Sequence, residues 1–151
     1  MNNQLIRFRP PRIAILLLVI AAAFHWLTPV RALNLYSSAA VSIGLASIGF
    51  VVMIIAWWQF KERAVAICPT ANTDRLITDG IYSFTRNPMY LGIALMLSGT
   101  AAWFGTLPFY AAVLGFVVIM DRWFRRYEED KLAAAFGGEY MEYKSKVRPW
   151  L

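Results

Sequence analysis

A chain of 151 residues that is 59% hydrophobic and only 16% charged lies far from the roughly 45–50% apolar and about 25% charged make-up of a soluble domain, and its length allows one domain, 1–151, built for a membrane. Its 15 Lys and Arg against 9 Asp and Glu leave a net charge of +6, which membrane topology explains without nucleic acid. The lone Cys68 excludes an internal disulfide, and the lone His25 excludes a histidine-based metal cluster.

An ionised side chain at the bilayer centre costs about 2.5–3.5 kcal/mol, so uncharged runs mark the spans. Three exist: 13–30, 32–60 and 87–120. A span needs roughly 20 apolar residues, so the first run predicts a helix over 13–30 and the second a longer one over 35–60. The third folds at Gly105-Thr106-Leu107-Pro108 into a hairpin of two short arms, 88–104 and 107–123. The expected architecture is therefore all-α, with four transmembrane helices, a loop over 61–87 and a charged segment over 124–151.

The basic residues before the first span also match a cleaved signal peptide, with Ala21 to Ala23 as a cleavage region. Pro10-Pro11 favours a permanent helix, since a missing N–H is harmless in a first turn. His25, beside Trp26, is expected at the outer interface or bonded internally. In the second span Ser38, Ala39, Ser42, Ala46 and Ser47 recur at intervals of three to five, a stripe of small residues that suits close helix packing.

Charge placement sets the orientation. Fourteen of the 15 cations fall before the first span, between the second and third, or after the fourth, and only Arg31 lies opposite. The positive-inside rule puts that 14-cation face, and both termini, in the cytoplasm. All nine acidic residues share it.

The 61–87 loop is long for a compact bundle, and such loops are commonly functional. Its interspersed Ile67, Leu76, Ile77, Ile81, Tyr82 and Phe84 argue for order. Gly80 can take a positive φ and admit a ligand to the backbone. Arg86-Asn87-Pro88 then leads into the hairpin. Arg86 is either an interfacial anchor or a carboxylate partner; Asn87 is either a helix cap or a contact for an adenine edge.

Beyond the fourth span no breaker interrupts 121–129, and helical spacing aligns Asp121, Arg125 and Glu129 at i, i+4, i+8, with Arg122, Arg126 and Asp130 in the next row. Such ladders usually form solvated faces, but this one emerges where the loop and Arg86 also lie. Carboxylates and guanidiniums meeting there can hold a zwitterion. Gly137-Gly138 is expected to end this helix. Phe136, Tyr140, Tyr143 and Val147 then make an amphipathic stripe that lies at the headgroups or packs on the loop, with Trp150 as an interfacial anchor.

Three blocks together, 76–82 (LITDGIY), 85–92 (TRNPMYLG), and Glu128-Glu129 followed by Leu132, Phe136-Gly137, Tyr140, Tyr143 and Val147-Arg148, resemble the isoprenylcysteine carboxyl methyltransferase family of bacterial type, which is related to membrane phospholipid methyltransferases. The likeness covers about the last 80 residues. It implies an enzyme of the bacterial inner membrane that uses S-adenosylmethionine and methylates a lipophilic or lipid-like acceptor, with no metal. By the resemblance, Leu76, Ile77, Gly80 and Tyr82 line the cofactor, Arg86, Asn87 and Tyr90 sit beside it, and Glu128 and Glu129 hold its amino-acid end. Arg126, with Arg125 as fallback, orients the acceptor, and Glu129 or Tyr90 is the group available as a base. Asn87 stands where eukaryotic carboxyl methyltransferases have histidine, which leaves a prenylcysteine substrate open. Two other readings compete: a membrane reductase of the sterol type using NADPH, and a non-enzymatic membrane protein whose charged helix docks a partner.

Overall fold

The computed structural model describes residues 10–27, 35–63 and 75–151. Arg7, Arg9, Arg31, Ile67 and Cys68 lie outside them. Five α-helices follow one another: α1 (Pro10–Leu27), α2 (Ala39–Glu62), α3 (Pro88–Phe104), α4 (Leu107–Ile119) and α5 (Arg125–Lys146). A single 3-10 turn, Gly80–Ser83, precedes α3, and a π turn, Met120–Phe124, joins α4 to α5. Local chemistry sets most of these limits. Pro10 opens α1, Pro88 opens α3 and Pro108 lies in the first turn of α4, where no N–H is missed. Ser38 caps α2 by accepting from Val41 N at 3.4 Å. Gly105 stops α3 in the left-handed region at φ 65°.

Boundaries differ from expectation in two places. Residues 35–38 are not helical and α2 runs to Glu62, because Ser38 claims the cap. The segment expected as the fourth span, 107–123, is helical throughout but widens into the π turn from Met120. The helix expected to end at Gly137-Gly138 does break there, with Gly137 outside helical geometry (φ 51°, ψ −120°), and a second helical stretch runs on to Lys146.

Pro10–Leu27, Ala39–Glu62 and the continuous Leu107–Lys146 are long and apolar enough to cross a membrane, while α3 is shorter, at 17 residues. At 1.5 Å per residue α3 reaches only about 26 Å against a hydrocarbon core of about 30 Å. Exposed Ile15, Leu16, Val19, Ile43, Phe50, Val51 and Leu114 give α1, α2 and α4 apolar outer surfaces, as an integral membrane protein requires.

Two opposite ends result from the packing. At one, Ile13 and Ala14 of α1 meet Tyr90 and Ile93 of α3 and Met120 and Phe124 after α4. At the other, His25 bonds to Thr106 at 3.2 Å, Ser38 N donates to Ala102 O at 3.0 Å, and Leu35 N donates to Gly105 O at 2.6 Å. The internal reading of His25 is the one realised. Among the described residues the Lys and Arg side chains belong to the first end and to the segments beyond it.

The seam between α2 and α3 is made by small residues. Ser42 Oγ donates to Gly99 O at 2.7 Å, and a Cβ on Gly49 would lie 2.5 Å from Gly92 O, as one on Gly92 would lie 2.7 Å from Gly49 O. Of the expected stripe, Ser42 and Ala46 take part, whereas Ala39 and Ser47 are exposed; Gly49 and Ala56 extend it instead. Gly49→Ala is expected to cost about 2–3 kcal/mol, since the new methyl meets rigid backbone and the helices must part. Unfolding of the variant in detergent micelles checks this; wild-type stability would show that the seam yields.

Candidate functional site

The charged end of the bundle carries the site, and α2 shapes its floor. Gln59, one turn before the end of α2, accepts from Ile81 N through Oε1 at 3.2 Å. Gly80 has φ +57°, and a Cβ there would stand 1.7 Å from Gln59 Nε2. The positive φ expected of Gly80 is present, but the space beside it holds the Gln59 amide. Arg63 grips Asp79 with both guanidinium nitrogens, Nη2 donating to Oδ2 at 2.6 Å. Thus α2 holds the 3-10 turn from two sides. Ile77 and Tyr82 are buried against Ala56 and Phe60, Tyr82 edge-on to Phe60 at 5.4 Å. Leu76 is half-buried.

Residues 85–87 are held by the segment that follows α5. Arg86 N donates to Arg148 O at 3.0 Å, while Thr85 Oγ1 and Asn87 Nδ2 both donate to Pro149 O, at 3.1 and 2.9 Å. Asn87 therefore occupies the cap position of α3 without capping it. Tyr143 OH donates to Tyr82 O at 2.6 Å, so the aromatic stripe of α5 packs on the loop. Trp150 Nε1 donates to Asp121 Oδ1 at 3.0 Å, so its polar edge is engaged within the chain.

Glu129 is the hub. Its Oε1 meets Arg86 Nη1 at 3.0 Å and Arg125 Nη1 at 2.9 Å, and its Oε2 meets Lys144 at 2.8 Å. The Arg86 side chain is 8% exposed and that of Glu129 10%. Burial pushes the Glu129 carboxyl upward, but Lys144, Arg125 and Arg86 outweigh it and hold it below the ordinary range. Arg125 also donates through Nε to Asp121 Oδ1 at 2.8 Å, completing the expected 121–125–129 ladder. Arg86 reaches Tyr140 OH at 3.4 Å, and its buried Nε has no hydrogen-bond partner among the described residues.

Glu128 points elsewhere, because adjacent residues on a helix diverge by about 100°. It accepts from the Tyr90 hydroxyl. Loss of solvent around its carboxyl end pushes it up to about 7, against the lowering pull of Tyr90. Two neighbouring glutamates thus differ in kind: Glu129 is a fixed anion, and Glu128 titrates near neutrality. Arg126 stands apart on the exposed face of α5.

The structure therefore brings Tyr90, Arg86, Asn87, Glu128 and Glu129 to one end with Ile77, Gly80 and Tyr82 alongside, and leaves Arg126 outside the ion-pair cluster. Sequence reasoning missed Gln59, Lys144, Asp121 as a partner of Trp150, and the 148–150 segment. An uncharged polar residue a turn from the end of a span was the available signal for Gln59. Among the described residues no group of three His, Cys, Asp or Glu is arranged to hold a metal ion.

An all-helical membrane bundle with an ion-pair cluster at one mouth defines the class, and comparison with known proteins defines the family. The model of the phospholipid methyltransferase family matches residues 37–139. The chain belongs to that family, and over part of its length it is similar to isoprenylcysteine methyltransferases. An uncharacterized protein of Haemophilus influenzae is 36% identical over 63 residues, 42% of this chain and all of that protein. Protein-S-isoprenylcysteine O-methyltransferase of Schizosaccharomyces pombe is 33% identical over 75 residues, and protein-S-isoprenylcysteine O-methyltransferase B of Arabidopsis thaliana 34% over 76. Each match covers 48% of this chain but only 30% and 37% of those two enzymes, so the matched region is about a third of their length. No solved structure matches.

Proposed function

We propose that this chain is a membrane methyltransferase that takes its methyl group from S-adenosylmethionine and passes it to a lipophilic or lipid-like acceptor. One observation carries the reading: in a chain of this family, an Arg86–Glu129 ion pair and a Tyr90–Glu128 hydrogen bond lie at the charged mouth of an apolar bundle.

The residues fit the donor's amino-acid end. Among the described residues the buried Arg86 Nε lacks an acceptor, and a carboxylate supplies one with a charge-assisted bond. Glu128 and Glu129 offer anionic oxygen to the ammonium. Leu76, Ile77, Gly80 and Tyr82 would line the cofactor, with Asn87 and Tyr90 beside it. When bound, S-adenosylmethionine supplies an electrophilic methyl on a sulfonium, which an acceptor takes by in-line displacement.

The chain's own residues bind, orient and exclude water. Ile77, Tyr82 and Phe60 form an apolar cluster on the α2 side, and enforced geometry is worth up to ~7–11 kcal/mol. Glu129, saturated by three cations, is too weak a base to take a proton. An acceptor that must lose a proton is better served by Glu128, whose Tyr90 bond keeps it at the mouth of the hairpin. Arg125 is committed to Asp121 and Glu129, which leaves the exposed Arg126 as the residue to orient an acidic acceptor. The short arms of α3 and α4 suit a wall past which a lipid enters sideways. Four spans, with both termini in the cytoplasm of a bacterial inner membrane, agree with the gathering of cations at the site's end.

Calorimetric titration of the detergent-solubilised chain tests the reading. S-adenosylhomocysteine is expected to bind and NADPH not to bind; the reverse pattern would favour a reductase, and silence from both a docking protein.

A further inference from the structure

We propose that Trp150 is a positioning residue for the candidate site, its indole N–H setting Glu129 through Asp121 and Arg125 while the carbonyls of Arg148 and Pro149 hold the 85–87 turn.

The relay is continuous. Trp150 Nε1 donates to Asp121 Oδ1 at 3.0 Å, and the same oxygen accepts from Arg125 Nε at 2.8 Å. Arg125 Nη1 then meets Glu129 Oε1 at 2.9 Å, the oxygen that also faces Arg86. Side-chain exposure falls along it, from 31% at Asp121 through 18% at Arg125 to 10% at Glu129. An i, i+4 pair near the surface is weak by itself. A second donor on Asp121 Oδ1 fixes the carboxylate and thereby the Arg125 fork, which must otherwise divide itself between two acids four residues away on either side.

The backbone on each side of Trp150 acts on the other half of the site. Arg148 O takes the Arg86 N–H, and Pro149 O takes both the Thr85 hydroxyl and the Asn87 amide. Pro149 offers no N–H, so it enters these contacts only as an acceptor. Arg86 is thus fixed at its backbone by residue 148 and at its side chain by Glu129, which residue 150 orients. The Trp150 ring packs against the core cluster of Ile13, Tyr90 and Phe124. A tryptophan serving only as an interfacial anchor would direct its N–H to headgroups, whereas this one donates to a half-buried carboxylate of the same chain.

This inference deepens the reading of the cluster as a cofactor site, and its test separates the two. In the full chain in detergent, affinity for S-adenosylhomocysteine is measured by calorimetry for wild type, Trp150→Phe, Asp121→Ala and the double variant, with unfolding midpoints as control. Phenylalanine keeps the packing and loses only the donor. Trp150→Phe is expected to weaken binding about tenfold, the typical worth of a hydrogen bond to a charged group, at a nearly unchanged midpoint. The double variant is expected to bind no worse than Asp121→Ala, because both changes cut one relay. Wild-type affinity in Trp150→Phe, or effects that multiply in the double variant, would overturn the proposal. Hydrogen exchange over 84–91 gives a second readout without ligand: Trp150→Ala is expected to speed exchange of the Arg86 amide, and unchanged exchange overturns the tail's part. If wild type binds no S-adenosylhomocysteine, the cofactor reading fails while exchange at Arg86 still decides the positioning role.

Discussion

Replacing Glu129 by alanine is expected to destabilise the protein by about 3–5 kcal/mol, the usual result of removing one partner from a buried ion pair. Three cations meet this carboxylate, but they do not suffer alike. Lys144, 40% exposed, turns to water. Arg125 keeps Asp121. Arg86, 8% exposed, keeps the Tyr140 hydroxyl at 3.4 Å and has a buried Nε that is already without a partner among the described residues. The loss therefore concentrates on Arg86, and a second change to Arg86→Met is expected to recover part of it, since removing both members of a buried pair leaves no orphan charge. Denaturant unfolding of the two variants in detergent checks this. A loss under about 1 kcal/mol in Glu129→Ala would show that Arg86 finds another acceptor. Binding of S-adenosylhomocysteine is expected to vanish in the single variant; unchanged affinity would refute the placement of the cofactor.

Glu128 gives the second large effect, and it is read in pH. Its carboxyl titrates at about 7 in the folded chain against an ordinary 4.5. Between those values the folded protein holds a proton that the unfolded chain has released, so stability falls as pH rises through this window and levels off above it. The full span corresponds to about 3 kcal/mol. Groups facing the carboxyl are Tyr90 from α3, Tyr82 from the 3-10 turn, and Glu129 and Lys131 on its own helix. Glu128→Gln is expected to flatten the profile between pH 4.5 and 7 and to raise stability at pH 8, about one unit above that range. Unfolding midpoints across pH decide it: parallel curves for wild type and variant would refute the assignment. A bound ammonium would also favour the ionised form, so binding at pH 6, roughly one unit below its midpoint, is expected to release a proton. Titrations in buffers of different ionisation heat show that release, and Glu128→Gln should abolish it.

Much of the architecture is legible in the order of the residues. Uncharged runs located the helices because charge is costly in hydrocarbon, and Pro10, Pro88, Pro108 and Gly105 marked their limits because each restricts or frees one backbone position. The 121–125–129 ladder was likewise legible, since i, i+4 neighbours follow from helical geometry alone. Small residues in α2 announced a close approach, but periodicity could not choose Ser42, Ala46 and Gly49 over Ala39 and Ser47, because the facing helix makes that choice.

Hydropathy, breakers and helical spacing are local properties, so an all-helical membrane chain with its charges gathered at one end is already written in the order of its residues. Which charges meet depends on folding. Glu128 and Glu129 are neighbours in the chain, yet one faces a tyrosine and the other three cations; no local rule separates them, since their surroundings come from α3, the 85–87 turn and the far end of α5. The 148–150 segment carries no periodic signal, and its backbone carbonyls acquire their role only when folding returns them, some 60 residues away in sequence, to Thr85 and Asn87.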